Sequence, residues 1–91
     1  MKKLISILGS TGSVGQSSLK IIDKKKNYFK PYIFSANKNY KLICKQLKKY
    51  KPKIFIINDH KTYLKVKEKF KKNNTRIINS FNLNNLKKKS N

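Results

Sequence analysis

The sequence predicts an α/β fold, a parallel sheet of three to four strands with flanking helices. Two observations carry this prediction. Short runs of bulky apolar residues alternate along the 91-residue chain with longer segments whose apolar residues recur at helical spacing. The apolar runs are nearly continuous, which is typical of strands buried in a parallel sheet. A βαβαβαβ order follows, with right-handed crossovers and helices on the faces of the sheet.

Four segments are predicted to be strands. Residues 3–8 form an apolar run that stops at a glycine, and residues 31–35 form the second strand. The clearest strand is formed by residues 54–57, which are four bulky apolar residues in a row. Residues 76–78 are the candidate for a short fourth strand, so the sheet is predicted to have three to four strands.

Three segments are predicted to be helices. Residues 13–26 follow the glycines, with Ser13 as the expected N-cap and Gln16 completing a capping box three residues later. Residues 40–49 and 62–72 form the other two helices. Each of the three helices is expected to carry one apolar stripe. In chain order, the stripes consist of Val14, Leu19, Ile21 and Ile22; of Leu42, Ile43 and Leu47; and of Tyr63, Leu64, Val66 and Phe70.

The chain is strongly basic, with 24 Lys and Arg residues against three acids and a formal net charge of +21. All of these basic residues except Arg76 are lysines, so the charge is interpreted mainly as lysine-rich drift on solvated faces. Non-specific polyanion binding is compatible with it. The alternative function is therefore a small nucleic-acid-binding protein on a βαβ scaffold, although no arginine cluster or stacking aromatic motif supports it.

Residues 1–80 are predicted to form one domain and residues 81–91 a basic, disordered tail. No run approaches the ~20 apolar residues of a membrane span, so no membrane association is expected. The single cysteine, Cys44, excludes a disulfide framework and is expected to be a buried structural thiol. These observations favour a cytoplasmic protein.

All three glycines lie in one segment, Gly9-Ser10-Thr11-Gly12-Ser13-Val14-Gly15, between the first strand and the first helix. Gly9 is expected to permit the tight turn, Gly12 to let a pyrophosphate approach the backbone, and Gly15 to let the helix pack closely on the sheet. The free N–H groups at the helix start favour phosphate oxygens, and Thr11 and Ser13 add hydroxyl donors. In this strand–turn–helix context the segment predicts a Rossmann-like dinucleotide site.

The loop after the second strand indicates which dinucleotide would bind. An NAD site usually carries Asp or Glu about 20 residues beyond the glycines, to bind the ribose 2′-hydroxyl. No acid stands there in Ser35-Ala36-Asn37-Lys38-Asn39. Lys38 offers a cation, and Ser35, Asn37 and Asn39 offer hydrogen-bonding groups for a 2′-phosphate. NADPH is therefore predicted in preference to NADH.

No catalytic residue and no metal ligand are predicted. Asp59 and His60 follow the third strand, at the edge where ligands bind in such sheets. Neighbouring residues at a strand end point apart, however, so both are expected to cap the next helix or to face water. Asp23 and Glu68 lie on basic helices and are expected to be ion-pair partners.

Several segments together resemble the 1-deoxy-D-xylulose 5-phosphate reductoisomerases. Residues 5–16 are similar to the opening of that family, which contains an Ile-Leu-Gly-Ser-Thr-Gly-Ser-Ile-Gly segment. Ala36-Asn37-Lys38-Asn39 resembles its Ala-Gly-Lys-Asn loop, with Asn37 where the family commonly has Gly. Tyr50-Lys51-Pro52 before a strand, with an Asp after it, matches its third βα unit. The resemblance covers residues 2–70.

The resemblance implies the N-terminal NADPH-binding part of an enzyme that converts 1-deoxy-D-xylulose 5-phosphate to 2-C-methyl-D-erythritol 4-phosphate. That reaction combines isomerisation with NADPH-dependent reduction in the non-mevalonate isoprenoid pathway. The Rossmann-like sheet would be incomplete relative to the family. The family uses a divalent metal, Mg or Mn, and the resemblance implies no ligands for it in this chain. The chain is therefore expected to be inactive alone. The resemblance implies no oligomeric state. The cofactor contacts that the resemblance implies are Thr11, Gly12, Ser13 and Val14 at the glycines, and Asn37, Lys38 and Asn39 on the adenosine phosphate side.

Overall fold

A computed structural model describes residues 2–79. The elements are β1 (Lys3–Ile7), α1 (Ser13–Lys24), β2 (Phe29–Ala36), α2 (Tyr40–Tyr50), β3 (Ile54–Ile57), α3 (His60–Lys69) and β4 (Arg76–Asn79). The strands are all parallel and form one sheet in the order β1-β2-β3-β4. The predicted α/β class and element order are confirmed. The predicted tail, residues 81–91, lies outside the described residues.

The three helices pack on one face of the sheet. Each crossover moves one strand further in the same direction, so right-handed connections place every helix on the same side. One core results, with Phe34 of β2 at its centre, 5.9 Å from the Phe55 ring and 5.8 Å from the Tyr50 ring. The buried apolar members of this core are Ile7, Leu19, Ile22, Phe34, Ala36, Ile43, Cys44, Leu47, Phe55, Ile57, Tyr63, Val66, Phe70 and Ile77.

The opposite face of the sheet has no helix from the described residues. Its apolar side chains come from the alternate strand positions Leu4, Ile33, Ile54, Ile56 and Ile78, and none of them is buried. Leu4 is 60% exposed. The predicted flanking helices are confirmed, and within residues 2–79 all three lie on one face of the sheet. Near-continuous apolar strands look alike in sequence whether one face or both faces are covered.

The helix α1 begins at Ser13, as predicted, but the predicted N-cap is wrong. Ser13 is not the N-cap; the cap is Gly12, and no side-chain hydrogen bond caps the helix. The Gly12 carbonyl already accepts the Gln16 N–H at 2.9 Å, which makes Ser13 the first helical residue. Gln16 does not complete a capping box, because its Nε2 donates to the Thr11 carbonyl at 2.9 Å.

Three predicted core residues are exposed: Val14 by 81%, Ile21 by 58% and Leu64 by 51%. In the first turn of α1 it is Gly15 that is buried, so the adjacent Val14 side chain is turned about 100° away from it. Leu64 is turned outward in the same way beside the buried Tyr63. The period of an apolar stripe predicts a helix, but it does not say which side of the stripe meets the sheet.

Candidate cofactor site

The candidate site lies at the carboxyl edge of the sheet, where β1 and β2 end side by side. Ile7 pairs with Phe34 near the ends of these strands. Two loops leave this edge: the glycine loop, residues 8–12, and the β2–α2 loop, residues 37–39. The structure therefore brings together the two segments that the sequence predicts to bind a dinucleotide.

The glycine loop is tied to the end of β2. Gly9 has φ +70°, in the region that favours glycine. Its N–H donates to Ser35 Oγ at 2.9 Å, and the Ser10 N–H donates to the Ser35 carbonyl at 2.7 Å. The Gly12 N–H closes the turn on the Gly9 carbonyl at 3.0 Å. The hydroxyl oxygen of Ser35, which was expected to offer a group to the 2′-phosphate, accepts the Gly9 N–H and so also holds the loop.

Gly12 and Gly15 differ in the space around them. A Cβ at Gly15 would lie 2.2 Å from the Gly9 carbonyl oxygen and 2.7 Å from the Ser10 Cα, so no side chain fits there. Gly15 therefore lets α1 pack closely against the backbone of the glycine loop, and not against the sheet as expected from the sequence. A Cβ at Gly12 would meet only the Gly9 carbonyl oxygen at 3.4 Å, so this side of the backbone is open. An open backbone beside a helix start is the shape that fits a phosphate group.

The start of α1 presents unused donors. Among residues 2–79, the N–H groups of Thr11, Ser13 and Val14 donate to no acceptor, and the hydroxyls of Thr11 and Ser13 make no hydrogen bond. Ser13 and Val14 are exposed, and Thr11 is half-buried. These donors and the positive end of the helix dipole favour an anion at this place.

The β2–α2 loop is exposed, but one of its side chains is engaged. Asn39 is the N-cap of α2, and its Oδ1 accepts the Leu42 N–H at 3.3 Å. The side-chain amide nitrogen of Asn39 makes no hydrogen bond within residues 2–79 and remains available as a donor to a ligand. Asn37 and Lys38 make no side-chain hydrogen bond or ion pair within residues 2–79, so the Lys38 cation is available.

Asp59 caps α3, as expected from the sequence. Its Oδ2 accepts the Thr62 N–H at 3.0 Å and the Thr62 hydroxyl at 2.7 Å. These hydrogen bonds, helped by the charges of Lys38 and Lys61, lower the pKa of Asp59 below its ordinary value of 3.8. The neighbouring His60 is the exposed first residue of the helix. The two side chains thus form no acid–base pair.

We expect Asp59→Ala to lower the melting temperature (Tm), because it removes the acceptor for the first turn of α3. Since folding lowers the pKa of Asp59, its ionised form stabilises the fold above pH 3.8, and this contribution is lost as the pH falls below that value. Thermal melts against pH should therefore show a smaller acid-induced decrease in Tm for Asp59→Ala. Asp59→Asn keeps a cap acceptor, so its Tm at neutral pH should fall less than that of Asp59→Ala. An equal decrease in Tm for the two variants would contradict the capping role.

The other acids form ion pairs, as predicted. Asp23 accepts hydrogen bonds from Lys49 Nζ and Tyr50 Oη, each at 3.1 Å, and Glu68 pairs with Lys71 at 3.3 Å. Within residues 2–79 there is no group of three or more His, Cys, Asp or Glu side chains that could hold a metal ion. The described residues thus do not fit the family's metal. None of the three described helices has the length and apolar character needed to cross a membrane.

Gln46 was missed by the sequence reasoning. This buried residue of α2 donates from Nε2 to the Ser10 carbonyl at 2.8 Å, which ties the glycine loop to a helix 36 residues away. A signal was present, because Gln46 is a polar residue in line with the apolar positions Ile43 and Leu47 of the same helix.

Comparison with known proteins gives consistent matches. A family model described as 1-deoxy-D-xylulose 5-phosphate reductoisomerase matches residues 5–89. The reductoisomerase of Clostridium novyi is 47% identical over 75 residues, 82% of this chain and 20% of the relative. That of Pelagibacter ubique is 40% identical over 81 residues, 89% of this chain and 21% of the relative. This chain therefore spans about a fifth of the length of these relatives.

Solved structures agree with the sequence matches. The reductoisomerase of Zymomonas mobilis in complex with NADPH superposes with a TM-score of 0.80 at 25% identity, over 87% of this chain and 21% of that chain. A reductoisomerase structure with fosmidomycin and magnesium has the same fold, with a TM-score of 0.77 at 22% identity. The Rossmann-like fold prediction is confirmed, and the nucleic-acid-binding alternative gains no support.

Proposed function

This chain belongs to the 1-deoxy-D-xylulose 5-phosphate reductoisomerase family, and we propose that its glycine loop and β2–α2 loop together bind NADPH. The observation that carries the proposal is the set of unused N–H donors on Thr11, Ser13 and Val14, beside a glycine with an open backbone. The likeness to a relative solved with NADPH supports the choice of ligand.

The pyrophosphate of the cofactor is assigned to the glycine loop. Gly12 leaves the backbone open, and the N–H groups of Ser13 and Val14 then donate to phosphate oxygens at the positive end of α1. The free hydroxyls of Thr11 and Ser13 add two further donors. Val14, an apolar side chain 81% exposed at the mouth of this loop, offers a surface against which the cofactor packs.

The 2′-phosphate is assigned to the β2–α2 loop. Lys38 has no ion-pair partner among residues 2–79, and the loop carries no carboxylate that would repel the phosphate. Asn37 and the amide nitrogen of Asn39 complete the donors. This arrangement would select NADPH over NADH, because NADH has no 2′-phosphate to meet the lysine.

In the complete reaction NADPH supplies the hydride, and the residues described here bind and orient it. We propose that this is how the chain serves the conversion of 1-deoxy-D-xylulose 5-phosphate to 2-C-methyl-D-erythritol 4-phosphate in the non-mevalonate pathway. No proton transfer and no metal-dependent step is assigned to residues 2–79, since their acids are engaged in capping or ion pairs.

The test is a titration of the purified chain with NADPH and with NADH at moderately high salt. We expect saturable binding that prefers NADPH and changes little as salt rises further, because most of its assigned contacts are hydrogen bonds from neutral groups and only Lys38 is an ionic contact. Binding to a random DNA duplex in parallel should fall steeply with salt. NADPH binding that vanishes together with DNA binding would show that only the +21 charge attracts the cofactor and would refute the proposal.

A further inference from the structure

Gln46 is the only described residue of α2 that makes a hydrogen bond to the glycine loop. Its Nε2 donates to the Ser10 carbonyl at 2.8 Å, and both residues are buried, with Gln46 4% exposed and Ser10 fully inaccessible. The other hydrogen bonds between the loop and its neighbours come from β2 and α1. Ser35 of β2 accepts from the Gly9 N–H and from the Ser10 N–H and hydroxyl, and Gln16 of α1 donates to the Thr11 and Gly12 carbonyls. Within residues 2–79, Gln46 provides the only hydrogen bond to the Ser10 carbonyl.

The same amide carries an unsatisfied atom. Gln46 Oε1 is buried and has no hydrogen-bond partner among the described residues. A buried carbonyl without a partner is unfavourable, and such a group in a native protein calls for an explanation. A methionine would fill the same volume without this penalty but would have no donor for Ser10. The amide is therefore explained by the donor it provides.

The geometry of the peptide bond links this donor to the cofactor site. The Ser10 carbonyl and the Thr11 N–H belong to one planar trans peptide, in which the C=O and N–H bonds point in opposite directions. Since Gln46 holds the carbonyl toward the interior, the Thr11 N–H is turned away from it. That N–H has no acceptor within residues 2–79.

We propose that Gln46 is a positioning residue for the cofactor: by holding the Ser10 carbonyl, it aims the Thr11 N–H at a phosphate of NADPH. This inference rests on the proposed function. In this proposal Gln46 lies on α2 and does not contact the cofactor, but it sets the affinity of the glycine loop for NADPH.

The test compares Gln46→Met with Thr75→Val. Thr75 is the matched control, since its Oγ1 donates to the Pro52 carbonyl at 2.6 Å, a buried side-chain-to-backbone bond far from the glycine loop. We expect Gln46→Met to weaken NADPH binding about tenfold, the value of roughly one hydrogen bond to a charged group, with little change in Tm. Thr75→Val should lower Tm and leave the NADPH Kd unchanged. Gln46→Glu, which keeps the length but cannot donate as a carboxylate, should weaken binding as Gln46→Met does.

An amide-resolved measurement separates positioning from simple loss of stability. The N–H residual dipolar coupling of Thr11 should change in Gln46→Met without any cofactor, while the couplings of β3 stay as they are. If Gln46→Met binds NADPH with the same affinity as the unaltered chain, or if the Thr11 coupling does not change, the role of Gln46 alone is overturned. Failure of the unaltered chain to bind NADPH would instead overturn the proposed function together with this role.

Discussion

Gly15→Ala is expected to abolish NADPH binding and to destabilise the fold. The new methyl group would lie 2.2 Å from the Gly9 carbonyl oxygen and 2.9 Å from the Gly9 carbonyl carbon, both of them backbone atoms. Either α1 or the glycine loop must shift, and overpacking of this kind costs about 1–3 kcal/mol, or more where the backbone resists. Thermal melts and an NADPH titration of the same preparation measure the two effects.

Gly12→Ala is the matched control for this variant. Its methyl group would make one ordinary contact, 3.4 Å to the Gly9 carbonyl oxygen, and the backbone angles φ −80° and ψ 174° suit alanine. We therefore expect a Tm close to that of the unaltered chain. Binding should still be lost, because the methyl group occupies the side from which the phosphate approaches. If Gly12→Ala binds NADPH normally, the assignment of the pyrophosphate to this loop is wrong.

Lys38→Ala is expected to remove the preference for NADPH over NADH. A hydrogen bond to a charged group contributes about 1.5–3 kcal/mol, so the Kd for NADPH should rise by at least about tenfold. The Kd for NADH should stay the same, because NADH has no 2′-phosphate. Titrations with both cofactors at one salt concentration give the ratio directly.

The chain offers a control for the charge itself. Lys72 is exposed in the turn before β4, at the opposite edge of the sheet, so Lys72→Ala removes one positive charge away from both loops. This variant should retain the NADPH preference. An equal loss of NADPH affinity in Lys38→Ala and Lys72→Ala would mean that the overall charge attracts the cofactor. The role assigned to Lys38 would then be wrong.

The candidate site was predictable because its signals are local. Three glycines at fixed spacing between a strand and a helix require a particular backbone, and the absence of an acid after β2 can be read directly from the residues. The use of Ser35 and Asn39 was not predictable in the same way. Each offers a polar group to a ligand, but in the fold the Ser35 hydroxyl holds Gly9 and the Asn39 carbonyl oxygen caps α2.

The sequence by itself determined the order of strands and helices, the parallel sheet and the position of the glycine loop, because periodicity and glycine spacing act over a few residues. Only the tertiary structure decided that the strands follow one another as β1-β2-β3-β4 with the helices on one face. It also decided that Val14 and Leu64 turn outward and that Gln46 reaches Ser10 across 36 residues. These features depend on which surfaces meet, and a local pattern carries the period of an element but not the identity of its neighbour.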